Sequence, residues 1–312
     1  MKVSVLMPAY NAERYITQSI ESVLVQSLAD FELIILDDNS SDKTYDIITS
    51  YAKIDKRIKC FRNDSNRGIG YCRNFLMNIS NGEYYAFLDA DDISEPNRLE
   101  VQSFFLDHNP EIFGIGGGRL IIDKDGFHIK SLPIDSVDRD IFQISCKILF
   151  CNCFCNSTMM FRSTKIRFIE EYSPAEDYEF WSRLFLIHKF KLININMPIV
   201  KYRVHDNNTS SRNQSRQLSL NDKIVTRNVN HVLGNSFVDI KFIHHHLNPL
   251  FRFSESFLSY FTKVLNFYLK LYIALNKAKQ MKLHSFIRFI SWDFNVRVRV
   301  YAKSKFSAWR RD

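Results

Sequence analysis

The sequence predicts an α/β protein: a mainly parallel sheet flanked by helices, followed by a helical, basic C-terminal extension. Three observations carry this. Short apolar runs alternate with helical patterns over the first hundred residues, polar clusters follow the runs, and the basic excess sits at the end of the chain. The apolar run over residues 2–7 is a buried first strand, expected to stop at Pro8. After Asn11, Ile16, Ile20, Val23 and Leu24 share one face of a helix. Residues 31–36 (Phe-Glu-Leu-Ile-Ile-Leu) form a second buried strand that runs into Asp37-Asp38. A helix over 45–51, a strand over 58–61, a helix over 73–79 and a strand over 84–88 complete the alternation. In such sheets right-handed crossovers bring ligands to the carboxyl ends of the strands. Those ends carry Pro8-Ala9-Tyr10-Asn11, Asp37-Asp38 and Asp89-Ala90-Asp91-Asp92.

The chain has 312 residues, 46% hydrophobic and 24% charged, which excludes a disordered or collagen-like polymer and suits one large α/β domain with an appendage. Six cysteines make no disulfide framework, so reduced thiols in a cytosol are expected. The first apolar run is too short for a signal peptide, and no apolar stretch reaches about 20 residues. From residue 238 onward there are 14 Lys and Arg against 4 Asp and Glu; the remainder has 28 against 30. An excess so confined points to an anionic surface.

The Asp89–Asp92 cluster carries the chemistry. A hard divalent cation takes oxygen ligands, and Mg²⁺ is commonly held by one or two carboxylates plus substrate phosphates. An Asp-x-Asp at a strand end supplies that arrangement. The alternative is a solvated acidic turn before a helix at Pro96, with Ser94 as its cap. The preceding buried strand and the Asp37-Asp38 pair favour the functional reading.

These segments resemble glycosyltransferase family 2, inverting enzymes of the GT-A fold. The resembling residues are 3–11, 32–42, Asn66-Arg67-Gly68, Arg73-Asn74, 82–92, Glu176-Asp177 and Tyr202-Arg203-Val204-His205, in the family's order over about residues 1–212. The resemblance implies a GT-A catalytic domain over 1–212, with a nucleotide-binding half over about 1–100 and an acceptor half over about 101–212, then a C-terminal region over 213–312. It implies that donor lies over Pro8, Ala9 and Tyr10, with Asp38 accepting from the base and Asp37 nearby; a ring N–H of uracil would suit that carboxylate. It places Arg73 near donor phosphate or base, and Asp89, Ala90 and Asp91 along the donor. Asp91 and Asp92 would meet Mn²⁺ or Mg²⁺, and which ligates directly is open. His205 would ligate the metal or touch the diphosphate. Asp177 is the implied base that deprotonates the acceptor hydroxyl, and Glu176 orients it or touches the acceptor; as the start of a helix, Asp177 could instead simply favour the dipole.

Other features read more plainly. Cys151, Cys153 and Cys155 have the spacing of a strand with three thiols on one face, without a second ligand pair for zinc. Gly114 to Gly118 suits a strand or bend permitting close approach rather than a phosphate cradle. His244-His245-His246 is an internal run. Phe261, Val264, Leu265, Tyr268, Leu271, Tyr272 and Leu275 follow helical spacing, with Lys263, Lys270 and Lys277 on the polar side. Such helices lie on an anionic membrane or cover the catalytic domain or a partner subunit. Nucleic acid is disfavoured, since no module for it is visible.

The expectation is therefore metal-dependent, inverting transfer of one sugar from a nucleotide-sugar donor, UDP-sugar favoured, to a glycan or lipid-linked saccharide acceptor. The setting is bacterial lipopolysaccharide or capsule synthesis in the cytoplasm or on the inner face of the membrane, and a homo-oligomer is compatible with it. The alternatives are a non-catalytic nucleotide-sugar-binding scaffold and a metal-dependent nucleotidyltransferase. A processive synthase is disfavoured, because spanning helices and a Gln-x-x-Arg-Trp-like segment are missing from the sequence.

Overall fold

The computed structural model describes residues 1–132, 141–205, 214–233 and 268–273, with residues 287 and 290. Two compact units are distinguished, Met1–Asp135 with Phe154–Leu220, and Ser136–Cys153 with Asn221–Asp312.

In the first unit, β1 (Val3–Ala9), α1 (Ile16–Leu24), β2 (Phe31–Asp37), α2 (Thr44–Ile54), β3 (Ile58–Arg62), α3 (Ile69–Ile79) and β4 (Tyr84–Phe87) alternate as the sequence predicts. Then come β5 (Ile93–Ser94), α4 (Arg98–His108), β6 (Ile112–Ile122) and β7 (His128–Leu132). After the helix α5 (Ile141–Lys147), which belongs to the second unit, β8 (Met160–Arg162), α6 (Glu176–Leu186) and β9 (Lys191–Arg203) follow; α7 (Gln214–Leu233) begins in the first unit and belongs to the second from Asn221 onward.

One sheet runs in the order β3-β2-β1-β4-β8-β6-β9-β5, with β7 on β6. The β3-β2-β1-β4 portion is parallel. Beyond β4 the pairing is mixed: β4–β8 and β6–β8 are antiparallel, while β6–β9 is parallel. Strand order reverses across β1, with β2 on one side and β4 on the other, which is where ligands collect in open sheets.

β1 and β2 are buried along their whole lengths, which explains their apolar runs. The first strand passes through Pro8 rather than stopping there. Leu6 accepts from β4, and Pro8, two residues on, faces the same side where that pairing has ended, so its missing N–H leaves no gap. Inside the sheet, the buried Ser4 hydroxyl donates to Glu32 at 2.6 Å and accepts from the Gly82 N–H at 2.8 Å. Burial opposes ionisation of Glu32, but Lys59, Ser4 and the Asn81 N–H together outweigh it and lower its pKa.

Besides Pro8, the alternative reading of Ser94 and the expected cysteine strand both differ from the structure. Ser94 is not a helix cap: it is buried in β5, where it accepts from Gln26 at 3.2 Å, and α4 starts only at Arg98. Pairing of β5 with β9, continued by Glu95 N–H to the Ile199 carbonyl, keeps this stretch extended past Ser94. The segment holding Cys151, Cys153 and Cys155 is no strand either. Cys151 still bonds back to Lys147 at the end of α5, and Cys155 precedes a 3-10 turn at Asn156–Thr158. The glycine-rich stretch lies in β6 as expected. A Cβ on Gly116 would collide with Asn194 Oδ1 and come within 2.7 Å of Met159 Sδ, so only glycine admits this approach.

In the second unit, Ile144 and Cys146 of α5 and Ile224, Val225 and Val229 of α7 are buried. Asn228 donates to the Ile148 carbonyl at 3.3 Å. Residues 268–273 are helical, with Tyr268 and Leu271 buried and Lys270 exposed, matching the helical spacing read there. His244 to His246 and the other basic helical segments lie outside the described residues. Among the described residues, no helix is long and apolar enough to cross a membrane.

Candidate active site

The expected donor edge is built from the ends of β1, β2 and β4. Pro8 and Ala9 close β1, and Tyr10 beyond them is exposed. Asn11 and Asn39 adopt left-handed backbone (φ 48° and 61°), which asparagine tolerates better than most residues. The two loops are tied together, since Asn11 N–H donates to Ser40 and Ser41 N–H donates to the Asn11 side chain, both at 2.9 Å.

The two aspartates at the end of β2 differ sharply. Asp38 accepts from Asn63 at 2.7 Å and from the N–H groups of Arg67 and Gly68 at 2.8 Å each, and so holds the turn into α3. Asp37 is fully buried; one oxygen accepts from Ser40 N–H and pairs with Arg62 at 3.2 Å. Its other oxygen, Oδ1, has no hydrogen-bond partner among the described residues.

Past β4, the three aspartates point in different directions. Asp89 accepts from Arg73 at 3.1 Å, and its N–H donates to Ser157 at 3.2 Å. Ala90 is buried, and its carbonyl accepts from Ser19 at 2.8 Å, which pins the loop to α1. Asp91 is about a quarter exposed, and its Oδ2 lies 2.9 Å from His205 Nε2. Asp92 turns inward: Oδ1 accepts from the Arg203 N–H at 2.9 Å, and Oδ2 has no hydrogen-bond partner among the described residues. Burial, and then the charges of Asp91 and Asp89, raise its pKa well above the carboxylate range.

Arg73 is buried, not a helix-surface residue. It donates to Glu176 at 2.5 Å and to Asp89 at 3.1 Å, and the Asn156 amide oxygen accepts from its Nε at 3.0 Å. The guanidinium also lies over the rings of Phe168 and Phe87. One cation thus joins the loop after β4 to the first turn of α6. Glu176 and Asp177 open that helix, where carboxylates meet the positive end of the dipole. Asp177 accepts from the Tyr178 N–H at 2.7 Å. Burial and the neighbouring Glu176 push its pKa up to about 7, against the pull of Arg73. A carboxylate that releases its proton near neutrality is suited to general-base work.

The site therefore gathers Arg73, Asp89, Asp91, Glu176, Asp177 and His205, all of which the sequence had singled out. It also contains residues with no role assigned from sequence. Asn156 and Ser157 sit on a three-residue turn that leaves no periodic signal. Arg203 lay within the quoted histidine segment, two residues from His205 on the end of β9, and that spacing was the available hint. Cys155 neighbours Arg119, and burial raises its thiol pKa to about 11.

Two neighbouring ligands of an octahedral ion with bonds of about 2.1 Å stand about 3 Å apart, and Asp91 Oδ2 and His205 Nε2 are 2.9 Å apart. The pair fits. Among the described residues, no group of three or more His, Cys, Asp or Glu is arranged to hold a metal, so substrate oxygens would have to complete the shell.

Fold and site together define a glycosyltransferase of the GT-A fold. The structure superposes on the mannosyltransferase PcManGT of Pyrobaculum calidifontis, solved with GDP-Man and Mn²⁺. The TM-score is 0.60 at 14% identity, covering 99% of this chain and 84% of that one, a likeness of fold. The chain belongs to glycosyl transferase family 2, whose model matches residues 4–167. An uncharacterized glycosyltransferase of Haemophilus influenzae is 33% identical over 302 residues, 92% of this chain and 90% of its own length. The Escherichia coli protein WfgD, a UDP-Glc:α-D-GlcNAc-diphosphoundecaprenol β-1,3-glucosyltransferase, is 32% identical over 210 residues, 67% of this chain and 79% of its own.

Proposed function

We propose that this enzyme transfers one sugar, with inversion, from a UDP-sugar to a hydroxyl of a glycan or lipid-linked saccharide in bacterial envelope polysaccharide synthesis, lipopolysaccharide or capsule. The observation that carries the reading is the Arg73 bridge. It fixes the helix start bearing Asp177 against the loop bearing Asp89 and Asp91. Donor-side and base-bearing elements are thereby held as one rigid constellation, as a single displacement requires.

In this reading Asp177 takes the proton of the acceptor hydroxyl as the oxygen attacks the anomeric carbon. Its pKa of about 7 leaves it ionised enough to accept and basic enough to hold the proton. Glu176, paired with Arg73, keeps the first turn of α6 in place and supplies part of the electrostatic push on Asp177. Arg73 acts as a positioning residue, since its donors go to Glu176, Asp89 and Asn156. Tyr10 offers an exposed ring on which a base could stack, and Asp37 Oδ1, without a hydrogen-bond partner among the described residues, and the remaining acceptor capacity of Asp38 are the candidates for a ring N–H. Asp91 and His205 would hold Mn²⁺ or Mg²⁺; Asp92, turned inward, shapes the loop. A bound metal would supply Lewis-acid stabilisation of the leaving diphosphate. The UDP preference is supported by WfgD, whose donor is UDP-Glc. The basic C-terminal region is assigned to the anionic inner face of the membrane, on the charge distribution alone.

The test is a thermal-shift panel of UDP, GDP and their sugars, with and without Mn²⁺. A ligand that binds only the folded state raises the midpoint, by about 2.7 kcal/mol of stabilisation at a hundredfold excess over Kd. Metal-dependent stabilisation by UDP and one UDP-sugar, abolished in Asp91→Ala, is expected. Absence of any shift with every nucleoside diphosphate would rule the reading out.

A further inference from the structure

Arg203 is 1% exposed at the end of β9, and its contacts converge on the surroundings of Asp91 and His205. Its N–H donates to Asp92 Oδ1 and its Nε donates to the Asp91 carbonyl, each at 2.9 Å. Nη1 reaches the Asp123 and Lys124 carbonyls at 3.3 Å, in the turn between β6 and β7. Nη2 donates to Gln18 of α1 at 2.5 Å. The guanidinium lies 4.8 Å from the centre of the Tyr15 ring; His205 also neighbours that ring, with ring centres 4.8 Å apart, and Arg14 lies over it at 5.4 Å. One side chain therefore grips the main chain of one proposed ligand, Asp91. Through Tyr15 it backs the ring of the other, His205.

We infer that Arg203 is the positioning residue that sets the Asp91–His205 pair at its 2.9 Å separation, and with it the affinity for the divalent cation. The inference rests on the metal reading given above. Only a planar fork of donors serves here: Nε, Nη1 and Nη2 point to three different elements, and a lysine ammonium supplies donors from a single point. Partners behind the direct ligands typically change metal affinity by about 10–100-fold when removed. Tyr15 and Gln18 stand four and seven residues past Asn11, so the same grip connects the ligand pair to the helix that leaves the nucleotide loop.

The experiment measures Mn²⁺ binding to the full-length protein by electron paramagnetic resonance in the presence of UDP, and UDP binding by calorimetry in EDTA. Arg203→Lys is expected to weaken Mn²⁺ by about 10–100-fold while metal-free UDP affinity stays within about twofold. Excess Mn²⁺ should restore the metal-dependent gain in UDP affinity. Should Arg203→Lys fail to fold, Gln18→Ala carries the test, because Gln18 is exposed and alanine favours its helix; a several-fold loss of Mn²⁺ affinity is expected. Parental Mn²⁺ binding in the folded variants, or an equal loss of metal-free UDP binding, overturns the inference in favour of a purely structural arginine. A parent protein that binds UDP but no Mn²⁺ removes the metal reading and this inference together. A parent that binds both, with unaffected variants, removes this inference alone.

Discussion

Replacing Asp177 by asparagine should make the protein inactive and more stable. The carboxyl's pKa stands at about 7 in the folded protein against 3.8 in its ordinary setting, because burial and the Glu176 charge oppose its ionisation. Folding is therefore unaffected by this group below pH 3.8, is opposed increasingly as pH rises to about 7, and carries the full opposition above that. Three pKa units at 1.36 kcal/mol each set an upper bound of about 4 kcal/mol. Asp177 is only part-buried, and solvent screening brings the expected gain to about 2 kcal/mol at pH 8. Asparagine is nearly isosteric and can still accept from the Tyr178 N–H, and Arg73 keeps Glu176 and Asp89. Melting midpoints of parent and Asp177→Asn, taken at pH 4.5 and pH 8, should differ little at the lower pH and by several degrees at the higher one. Activity should fall by about 10²–10⁴-fold, and kcat/KM of the parent should climb with pH to a plateau above about 7. A gain that ignores pH, or a variant less stable at pH 8, would refute the argument that function holds a charge where the fold resists it.

Gly116→Ala should destabilise the protein by about 1–3 kcal/mol, read as a lower denaturant midpoint, because its methyl meets the buried Asn194 side chain and Met159. Glu32→Gln should leave stability above neutrality lower and flatten its acid limb. The folded pKa of Glu32 is lowered, so its contribution is present above the ordinary value of 4.5 and is lost as pH falls through that region; urea melts at pH 4 and pH 7.5 would show the two curves converging in acid.

The parallel half of the sheet was legible because each of its strands is buried on both faces and bounded by polar residues, so the apolar run is the strand. The carboxylates of the site were legible for the same reason, each following a strand or opening a helix. What sequence reading missed lacks any repeat. The Asn156–Thr158 turn is three residues long, and its Asn156 finds Arg73, 83 positions earlier. The alternating cysteines misled because a loop can place every second residue similarly without pairing to a neighbour. Ser94 has the chemistry of a cap, but a two-residue strand claims it through contacts with Ser22 of α1, Gln26 just beyond it and β9 that no local window contains. Arg73 was read as facing the donor, and its commitment to two carboxylates depended on a helix about a hundred residues downstream.

The distances along the chain between partners have a consequence for synthesis. The four parallel strands close within residues 3–87, from neighbours in sequence. The contacts that complete the site join positions 103, 114 and 185 residues apart, as in Arg73 with Glu176, Asp91 with His205, and Gln18 with Arg203. At a translation rate of about 5–20 residues per second, His205 leaves the ribosome roughly 6–23 seconds after Asp91. During that interval the growing chain holds its nucleotide-side framework without His205, and Asp177 itself follows Asp91 by 86 residues. A message truncated before β9 would thus yield a polypeptide that carries the four parallel strands and Asp177 but neither Arg203 nor His205.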